Sequence, residues 1–426
     1  MSPSELHVNL FDLVHPLTRA VDMMNPALSN HHSQVGYLAF RIAEAMGLSV
    51  EERRDIAVAG VLHDIGGFSL AERLDILKFE DVHPGAHAVA GYLLLRGFRP
   101  LARAATLIRF HHQPWDYGAG LSFKGEAVPL SSHVVHLADR VAVLISKTAP
   151  ILGQVKHIME TIESRQGAVF CPEAVDALKR LSSRDFVWLE ATANGTEALL
   201  RQTTAPLMQE MTLDDLLALS HLICRIIDFK SAFTATHSSG VAASALALAI
   251  RVGFSAQECK MMEMAAYLHD VGKLAIPSEI LEKPAKLDVE ERNIMRTHAY
   301  FTYHILQPIE ALQMITSWGA LHQERLNGTG YPFGYTAEQL PLGSRVMAVA
   351  DVFTAITEDR PYRKGMTKEH AIQVLEKTVT EGELDERMVH LLLSDYDAIN
   401  FVRSEAQRLA VTEYEAFQTA LTKAVA

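Results

Sequence analysis

The chain repeats one ordered series of histidines and aspartates in its two halves. The series in the first half consists of His32, His63, Asp64, His87, His111, His112 and Asp139. The series in the second half consists of His237, His269, Asp270, His298, His322 and Asp351. The six matched positions lie 205, 206, 206, 211, 211 and 212 residues apart. So little drift predicts two copies of one domain within the 426 residues, with the single jump falling in a loop that tolerates insertion.

Apolar residues recur at spacings of three and four through both halves, which is typical of amphipathic helices. The clearest such segments are 35–47, 50–63, 89–97, 127–147, 255–269, 288–306, 341–358 and a tail over 395–426. Because alternating strand patterns are nearly absent, we expect an all-α protein. The tail is expected to form an amphipathic helix that either covers the core or makes a contact in a homodimer.

The helical periodicity breaks at residues 203–206. Shortly afterwards, Thr212 and Asp215 form the pattern of a capping box, which opens a new helix. We therefore predict two tandem domains, residues 1–205 and 206–426, each long enough to bury a core of its own.

Composition excludes several classes of protein. A formal net charge of −12 disfavours binding to polymeric nucleic acid, which would require a basic face. Three widely spaced cysteines predict neither a disulfide framework nor a thiolate zinc site, and this pattern fits a reducing cytoplasm. No run of 18 apolar residues and no signal-peptide pattern is present, so we expect a cytoplasmic protein without a membrane span.

The repeated residues have the chemistry of metal ligands. Imidazoles and carboxylates without a thiolate suit Fe, Mn, Co or Zn, and an aspartate beside a histidine can bridge two ions. Helical bundles build such sites by converging side chains from several helices. Two ions a few ångströms apart are the usual apparatus for in-line attack on phosphorus.

These residues carry a resemblance to the HD superfamily of metal-dependent phosphohydrolases in both halves. The second half also resembles the HD-GYP subfamily of cyclic-dinucleotide phosphodiesterases, which degrade bacterial second messengers. The motifs that carry this closer resemblance are His269-Asp270-x-Gly272-Lys273, the segment from His322 to Gly330-Tyr331-Pro332, and Asp359-Arg360-Pro361-Tyr362-Arg363-Lys364. The first half matches only the broader HD pattern.

The resemblance implies a two-ion centre in the second half. His237, His269, Asp270 and Asp351 would hold one ion, and Asp270 would bridge to a second ion held by His298 and His322. Iron or manganese is the expected metal, with nickel, cobalt or zinc as the other choices. Asp270 and Lys273 would be catalytic, with Lys273 stabilising charge on the scissile phosphate or protonating the leaving 3′-oxygen.

The resemblance also implies how the substrate and a partner bind. Arg360, Arg363 and Lys364 would neutralise the phosphates of the ligand. The loop of Gly330, Tyr331 and Pro332 would contact the ligand or a partner, which in this subfamily is a diguanylate cyclase (GGDEF) domain.

Both halves depart from the subfamily pattern. Gln323 stands where a second histidine is usual, so it is expected to be a weak ligand for the second ion. The first half has the double histidine and is expected to bind metal, but it has Gly67 in place of Lys273 and no Gly-Tyr-Pro loop. His31 also fits the first ligand position, although the Ser after His32 favours His32.

The predicted function is a metal-dependent phosphodiesterase that opens a cyclic dinucleotide to its linear 5′-phosphorylated form. The resemblance favours cyclic di-GMP as the substrate. One alternative is hydrolysis of 3′,3′-cyclic GMP-AMP with added nucleotidase activity in the first half, and another is a receptor that binds a cyclic dinucleotide without hydrolysing it. For the first half, a phosphomonoester hydrolase, a sensory domain and a structural metal site remain open.

Overall fold

The computed structural model describes residues 10–22, 29–67, 79, 85–204, 211–229, 236–283, 285–359 and 364–425. Within these ranges the chain is helical, which confirms the all-α prediction. The strands of this part of the chain form one short hairpin, in which Ser122–Phe123 pairs with Glu126–Ala127. No helix in the described ranges combines the length and the apolar character that crossing a bilayer requires.

The chain divides into two compact units, one built on residues 10–204 and the other on 211–419. The predicted domain boundary at residue 205 falls in 205–210, outside the described residues, and stays a prediction. The first unit contains helices α1 (Leu10–Asp22), α2 (His31–Ala45), α3 (Val50–Leu62), α4 (Ala86–Leu95), α5 (Ala102–Arg109), α6 (Leu130–Leu144), α7 (Val155–Glu163), α8 (Pro172–Ser182), α9 (Asp185–Thr192) and α10 (Thr196–Thr204).

The second unit repeats the order of the helices around the candidate ligands, which in the first unit are α2 to α6. It contains α11 (Leu213–Asp228), α12 (His237–Val252), α13 (Ala256–Leu268), α14 (Ser278–Leu281), α15 (Val289–Leu306), α16 (Gln313–Ala320), α17 (Leu342–Thr357), α18 (Lys368–Thr380), α19 (Glu386–Ser394) and α20 (Tyr396–Val425). In the first unit α2 packs against α3 and α6, and in the second α12 packs against α13 and α17. The matched packing confirms the internal duplication.

Capping boxes begin the helices at matched places. Ser49 caps α3 together with Glu52, and Ser255 caps α13 together with Glu258. In each box the serine oxygen accepts from a backbone N–H that the helix leaves without a partner. The capping box predicted at Thr212, at the start of α11, is also present. Because α3 and α13 start at fixed points, the His-Asp pairs that follow them emerge at equivalent positions.

A glycine after each His-Asp pair lets the next ligand-bearing helix approach the turn. A Cβ atom built at Gly66 would lie 2.2 Å from the carbonyl oxygen of His87, and one at Gly272 would lie 2.0 Å from that of His298. Real Cβ atoms do not approach so closely. Each glycine therefore sets the distance between the His-Asp pair and the histidine of the following helix.

The predicted tail helix is present as α20, and it packs on the second unit. Phe417 of this helix lies against Phe229, with 5.2 Å between their ring centroids, and Tyr414 lies 5.4 Å from the same ring. Ile399 and Arg403 on the same helix are buried. The tail therefore covers the core of the second unit, which was one of the two roles expected for it.

Candidate metal centres

Six predicted ligands of the second unit converge, although they come from separate elements. His237 begins α12, the pair His269-Asp270 follows α13, His298 lies in α15, His322 follows α16 and Asp351 lies in α17. All six side chains are buried. The ligand atoms form two groups of three, and within each group they lie within 4.8 Å of one another. The first group contains His237, His269 and Asp270, and the second contains Asp270, His298 and His322.

The Asp270 carboxylate lies between the two groups. Its Oδ2 atom is 3.2 Å from His269 Nε2, whereas its Oδ1 atom is 3.4 Å from His298 Nε2 and 3.9 Å from His322 Nε2. His237 Nε2 lies 3.2 Å from Asp351 Oδ1. A carboxylate that presents one oxygen to each group has the geometry of a bridging ligand between two ions.

Three of the histidines are oriented by the backbone of the turn that precedes them. The Nδ1 atoms of His269, His298 and His322 bond to the carbonyl oxygens of Ala266, Met295 and Gly319, at 2.6 to 2.7 Å. Such a bond fixes the ring and the tautomer, so that Nε2 points into the cluster as an acceptor for metal. His237 differs, because its Nδ1 atom lies 3.1 Å from Glu358 Oε2.

The cluster combines an ionised carboxylate with two histidines of lowered pKa and two of raised pKa. Burial alone would raise the pKa of Asp270, but His269 and Lys273 outweigh burial and hold that pKa well below its usual range. Burial lowers the pKa of His322 to about 3 and also lowers the pKa of His298. Burial alone would also lower the pKa of the other two histidines, but neighbouring carboxylates outweigh burial and raise the pKa of His237 to about 10 and that of His269, so a bound ion would displace protons from these two rings. Ionised carboxylates and neutral imidazoles are the forms that bind metal.

A cavity of about 340 Å³ opens onto the cluster. Lys273 and Tyr331 line it, together with the ligand candidates His237, Asp270, His298 and Asp351. Lys273 forms an ion pair with Asp270 Oδ2. Burial alone would lower the pKa of Lys273, but the charge of Asp270 outweighs burial and raises it, so the cavity contains a fixed cation.

Gln323 also lines this cavity. Its Nε2 atom lies 3.3 Å from Asp351 Oδ2. The side chain thus reaches the cluster, but it contacts a ligand carboxylate through its amide. Gln323, which replaces the second histidine of the subfamily pattern, therefore lies beside the cluster and contacts one of its candidate ligands.

The Gly-Tyr-Pro loop is held by a buried carboxylate. Glu324 accepts hydrogen bonds from the backbone N–H groups of Phe333 at 2.7 Å and Tyr335 at 3.0 Å. A Cβ atom at Gly330 would lie 2.3 Å from the backbone nitrogen of Arg325, so this position requires glycine. The loop brings Tyr331 to the cavity, beside Pro332.

The predicted phosphate-binding residues are only partly described. Arg360 and Arg363 lie outside the described residues. The Lys364 side chain is 89 % exposed and pairs with Asp359 Oδ2 at 2.7 Å. Its predicted role in binding the substrate therefore stays a prediction.

The first unit contains a second cluster with a larger donor set. Its ligand atoms lie within 4.8 Å of one another in three overlapping groups: Asp64 with His87, His111 and His112; His31 with His63 and Asp64; and His63 with His111 and Asp139. The Asp64 carboxylate again lies between two groups, 3.1 Å from His63 Nε2 and 3.4 Å from His87 Nε2. His112 Nε2 lies 2.9 Å from His87 Nε2.

The structure places His31 in this cluster and not His32, which corrects the expected assignment. His31 Nε2 lies 3.4 Å from Asp139 Oδ1, whereas His32 Nδ1 bonds to Asp22 of α1. Successive side chains on a helix point about 100° apart, so only one of these neighbours can face the cluster. With His31 as the partner of His237, the first three offsets are all 206, and that uniformity was a usable signal.

The second unit has a contact that matches the one between His32 and Asp22, but it is made by a serine. Ser238, which follows His237, donates a hydrogen bond to Asp228 Oδ1 at 3.0 Å. This pair matches His32 with Asp22, 206 residues earlier. The position after the ligand histidine therefore ties α2 to α1 and α12 to α11.

The two clusters differ in where their cations lie. The first unit has Gly67 in the place of Lys273. Its buried cation is Arg140, whose guanidinium bonds to Asp139 Oδ2 at 2.6 Å. The first cluster therefore has its positive charge on the side of Asp139, whereas the second has it beside the bridging carboxylate.

The HD-domain family model matches residues 28–144, and a second HD-domain model matches residues 221–388. The 3′3′-cGAMP-specific phosphodiesterase 1 of Vibrio cholerae is 30 % identical over 401 residues, which cover 91 % of this chain and 92 % of that protein. The cyclic di-GMP phosphodiesterase response regulator RpfG of Xanthomonas campestris is 38 % identical over 176 residues, which cover 40 % of this chain and 46 % of its own length.

A solved structure shares the fold. The crystal structure of the cyclic GMP-AMP specific phosphodiesterase V-cGAP3 of Vibrio cholerae matches with a TM-score of 0.65 and 23 % identity. The match covers 92 % of this chain and 98 % of that structure. The tandem arrangement of two helical units is therefore a known architecture.

Proposed function

The chain belongs to the HD-domain family, and we propose that it is a phosphodiesterase that opens a cyclic dinucleotide at the metal centre of its second unit. The observation that carries this proposal is the arrangement around Asp270. That carboxylate lies between two groups of histidines, and Lys273 lies beside it in a cavity. This is the donor set and charge pattern that phosphoryl chemistry uses.

We propose 3′3′-cGAMP as the substrate, in place of the cyclic di-GMP favoured by the motifs. The relative with that specificity in its name aligns over 92 % of its own length, through both HD units. The cyclic di-GMP relative RpfG aligns over only 40 % of this chain. Similarity over both units therefore supports 3′3′-cGAMP. The product would be the linear 5′-phosphorylated dinucleotide.

The residues of the second cluster fit a divalent transition metal. His269 Nε2 is buried and makes no hydrogen bond among the described residues, although it lies in the middle of the cluster. The donors are imidazoles and carboxylates without thiolate, which supports Fe or Mn as the ions. His237, His269, Asp270, His298, His322 and Asp351 would hold them. When bound, the ions supply Lewis-acid polarisation of the phosphoryl oxygens.

The remaining side chains of the cavity position the substrate and move charge. Lys273 is half-buried, cationic and next to Asp270, so it can stabilise the developing negative charge or give a proton to the leaving 3′-oxygen. Tyr331 adds an aromatic side chain to the lining of the cavity. Because Glu324 holds the loop and Tyr331 lines the cavity, the Gly-Tyr-Pro loop is proposed to contact the ligand.

The first unit fits metal as well. Its buried atoms His31 Nε2, His63 Nε2 and Asp139 Oδ1 make no hydrogen bond among the described residues. Such atoms are costly inside a protein unless a ligand or an ion satisfies them. We therefore propose that this unit also holds divalent metal, through His31, His63, Asp64, His87, His111, His112 and Asp139.

The proposal is tested by incubating the Mn²⁺- or Fe²⁺-loaded full chain with 3′3′-cGAMP and, separately, with cyclic di-GMP. Products are separated by liquid chromatography and identified by mass spectrometry. We expect the linear dinucleotide from 3′3′-cGAMP at a higher kcat/KM than from cyclic di-GMP. Tight binding of 3′3′-cGAMP without any linear product would favour the receptor alternative and contradict the enzyme.

A further inference from the structure

A line of contacts joins His237 to the C-terminal helix α20. His237 Nδ1 lies 3.2 Å from Glu358 Oε1 and 3.1 Å from Glu358 Oε2. The amide of Gln407, on α20, donates to Glu358 Oε2 at 3.0 Å. Arg403, one turn earlier on α20, donates to the Oε1 atom of Gln407. A residue at the metal cluster is thus connected to a helix that contributes no ligand candidate.

His237 differs from the other histidines of the cluster in the partner of its Nδ1 atom. The other three histidines bond through Nδ1 to a carbonyl oxygen three residues earlier, in a turn that already exists. His237 is the first residue of α12, and its Nδ1 atom faces the carboxylate of Glu358. Glu358 supplies the acceptor that the backbone supplies elsewhere.

Glu358 is well placed to hold this ring. It is buried, and it directly follows α17, the helix that carries Asp351. Asp351 contacts the opposite nitrogen of the His237 ring, with Oδ1 3.2 Å from Nε2. Asp351 of α17 and Glu358 at its C-terminal end therefore contact the two nitrogens of the His237 ring, and these contacts fix its plane and its tautomer.

The approach of α20 depends on a glycine in α12. A Cβ atom built at Gly240 would lie 2.8 Å from Gln407 Nε2 and 3.0 Å from Gln407 Cδ. Gly240 lies one turn after His237 on the same helix. The missing side chain lets Gln407 reach past α12 to Glu358, so this contact is built into the packing of the two helices.

We infer that Glu358 is a positioning residue for His237, and that Gln407 of α20 holds Glu358 in place, so that the tail helix sets the metal affinity of the second unit. This inference rests on the proposed metal centre. Partners that orient a ligand histidine from outside the ligand set typically change metal affinity by about 10- to 100-fold. The structure thereby assigns α20 a role at the site in addition to covering the core.

The test measures Mn²⁺ binding to the full chain by equilibrium dialysis, without nucleotide, in an Asp64→Ala background that weakens the sites of the first unit. We expect Glu358→Ala to raise the Kd of the second unit by about 10- to 100-fold. Glu358→Gln should lose less metal affinity than Glu358→Ala, because the amide oxygen of the new side chain still accepts a hydrogen bond from Nδ1–H of His237. The Kd of Gln407→Ala for Mn²⁺ should lie between those of Glu358→Ala and the parent. Glu376→Ala and Gln373→Ala, both exposed on α18, are the matched controls and should bind like the parent.

An unchanged Kd in Glu358→Ala, with a thermal unfolding midpoint like that of the parent, would overturn the inference. If Glu358→Ala does not fold, Gln407→Ala decides, and a Kd equal to that of Gln373→Ala would overturn it. The readout is metal affinity and not turnover. A chain that failed to hydrolyse 3′3′-cGAMP but showed the expected series of Kd values would contradict the proposed function and leave this inference standing.

Discussion

At the scale of single residues, Gln323 and His112 occupy matched positions with different contacts. His112 Nε2 lies 2.9 Å from His87 Nε2 and joins the ligand group around Asp64. Gln323 lies 3.3 Å from Asp351, and among the described residues the group matched to that of Asp64, His87, His111 and His112 consists of Asp270, His298 and His322. An amide is a poorer ligand than an imidazole for these metals, so a second ion in the second unit would be held by fewer strong donors.

Gln323→His should therefore raise the metal content of the second unit, and its turnover with it. The reciprocal change, His112→Gln, is the control and should lower the metal content of the first unit. Elemental analysis of each dialysed protein gives the ions bound per chain. If Gln323→His binds no more metal than the wild-type chain, another group completes this site and the account of Gln323 is wrong.

Lys273→Met removes the cation beside Asp270 but keeps most of the volume of the side chain. We expect kcat to fall by about 10²- to 10⁴-fold, the usual contribution of a positioned acid or charge, while the bound metal stays unchanged. Lys377→Met is the control, since that side chain is 72 % exposed on α18. Steady-state kinetics with metal analysis of the same samples separates the two effects, and a kcat equal to that of the control would exclude Lys273 from the chemistry.

Most site residues follow from sequence spacing, and the exceptions have physical causes. The spacing between halves identifies Asp64, Asp270 and their matched histidines, because ligands must recur in order when a domain is duplicated. It does not identify Glu358, whose contact with His237 spans 121 residues, because the matched position of the first half is Ser146. The choice between His31 and His32 depended on where α2 begins, and one residue of helix register decides which ring faces the cluster.

At the scale of elements, the turn after each His-Asp pair packs tightly against the helix that carries the next histidine. Gly66 lies against the backbone of α4, and Gly272 against that of α15. The backbone cannot move away without displacing His87 or His298, which follow as ligand candidates. Packing in the core and geometry at the cluster are therefore set by the same contact.

Gly66→Ala should destabilise the first unit by about 1–3 kcal/mol, the usual cost of forcing extra atoms into a packed site. It should also lower the metal content of that unit, because His87 must shift. Gly195→Ala, where an added Cβ atom meets nothing within 4 Å, is the control. Thermal denaturation and metal analysis report the two effects, and a Gly66→Ala chain as stable as the control would contradict the close approach.

The sequence predicted the start of a helix that has a side-chain cap, but it did not predict the start of α6. Thr212 with Asp215 signals the start of α11 through local chemistry alone. The segment 127–147 was expected to be helical throughout, but Ala127 pairs in a hairpin and α6 begins at Leu130, after Pro129. The turn of that hairpin consists of Lys124 and Gly125, both with positive φ, and a lysine there gives a weak signal.

At the scale of the whole molecule, one duplicated fold supports two unequal sites. The repeat predicts both units and their all-α architecture, because the order and spacing of ligands require matched helices. It does not predict the substrate, because the repeated residues are candidate metal ligands and do not indicate which bases of the dinucleotide are bound. The choice of 3′3′-cGAMP therefore depends on similarity over both units.

Removal of metal should lower the stability of the chain. A ligand that binds only the folded state stabilises it by RT ln(1 + [L]/Kd), about 2.7 kcal/mol at a free concentration of 100 Kd. Thermal unfolding should therefore shift to lower temperature after chelation and recover when Mn²⁺ is added back. The Asp64→Ala, Asp270→Ala double variant should show little response to chelator, and an equal shift in that variant would mean that the clusters do not hold the stabilising ions.

The central claim is that ring opening takes place in the second unit, at the cluster bridged by Asp270. Two matched variants test it most directly: Asp270→Ala and Asp64→Ala, each loaded with Mn²⁺ and given 3′3′-cGAMP, with the linear product quantified by mass spectrometry. We predict that Asp270→Ala abolishes the linear dinucleotide, whereas Asp64→Ala leaves ring opening largely intact. Equal loss in both variants, or loss in Asp64→Ala alone, would contradict the account and place the phosphodiesterase centre, or a required part of it, in the first unit.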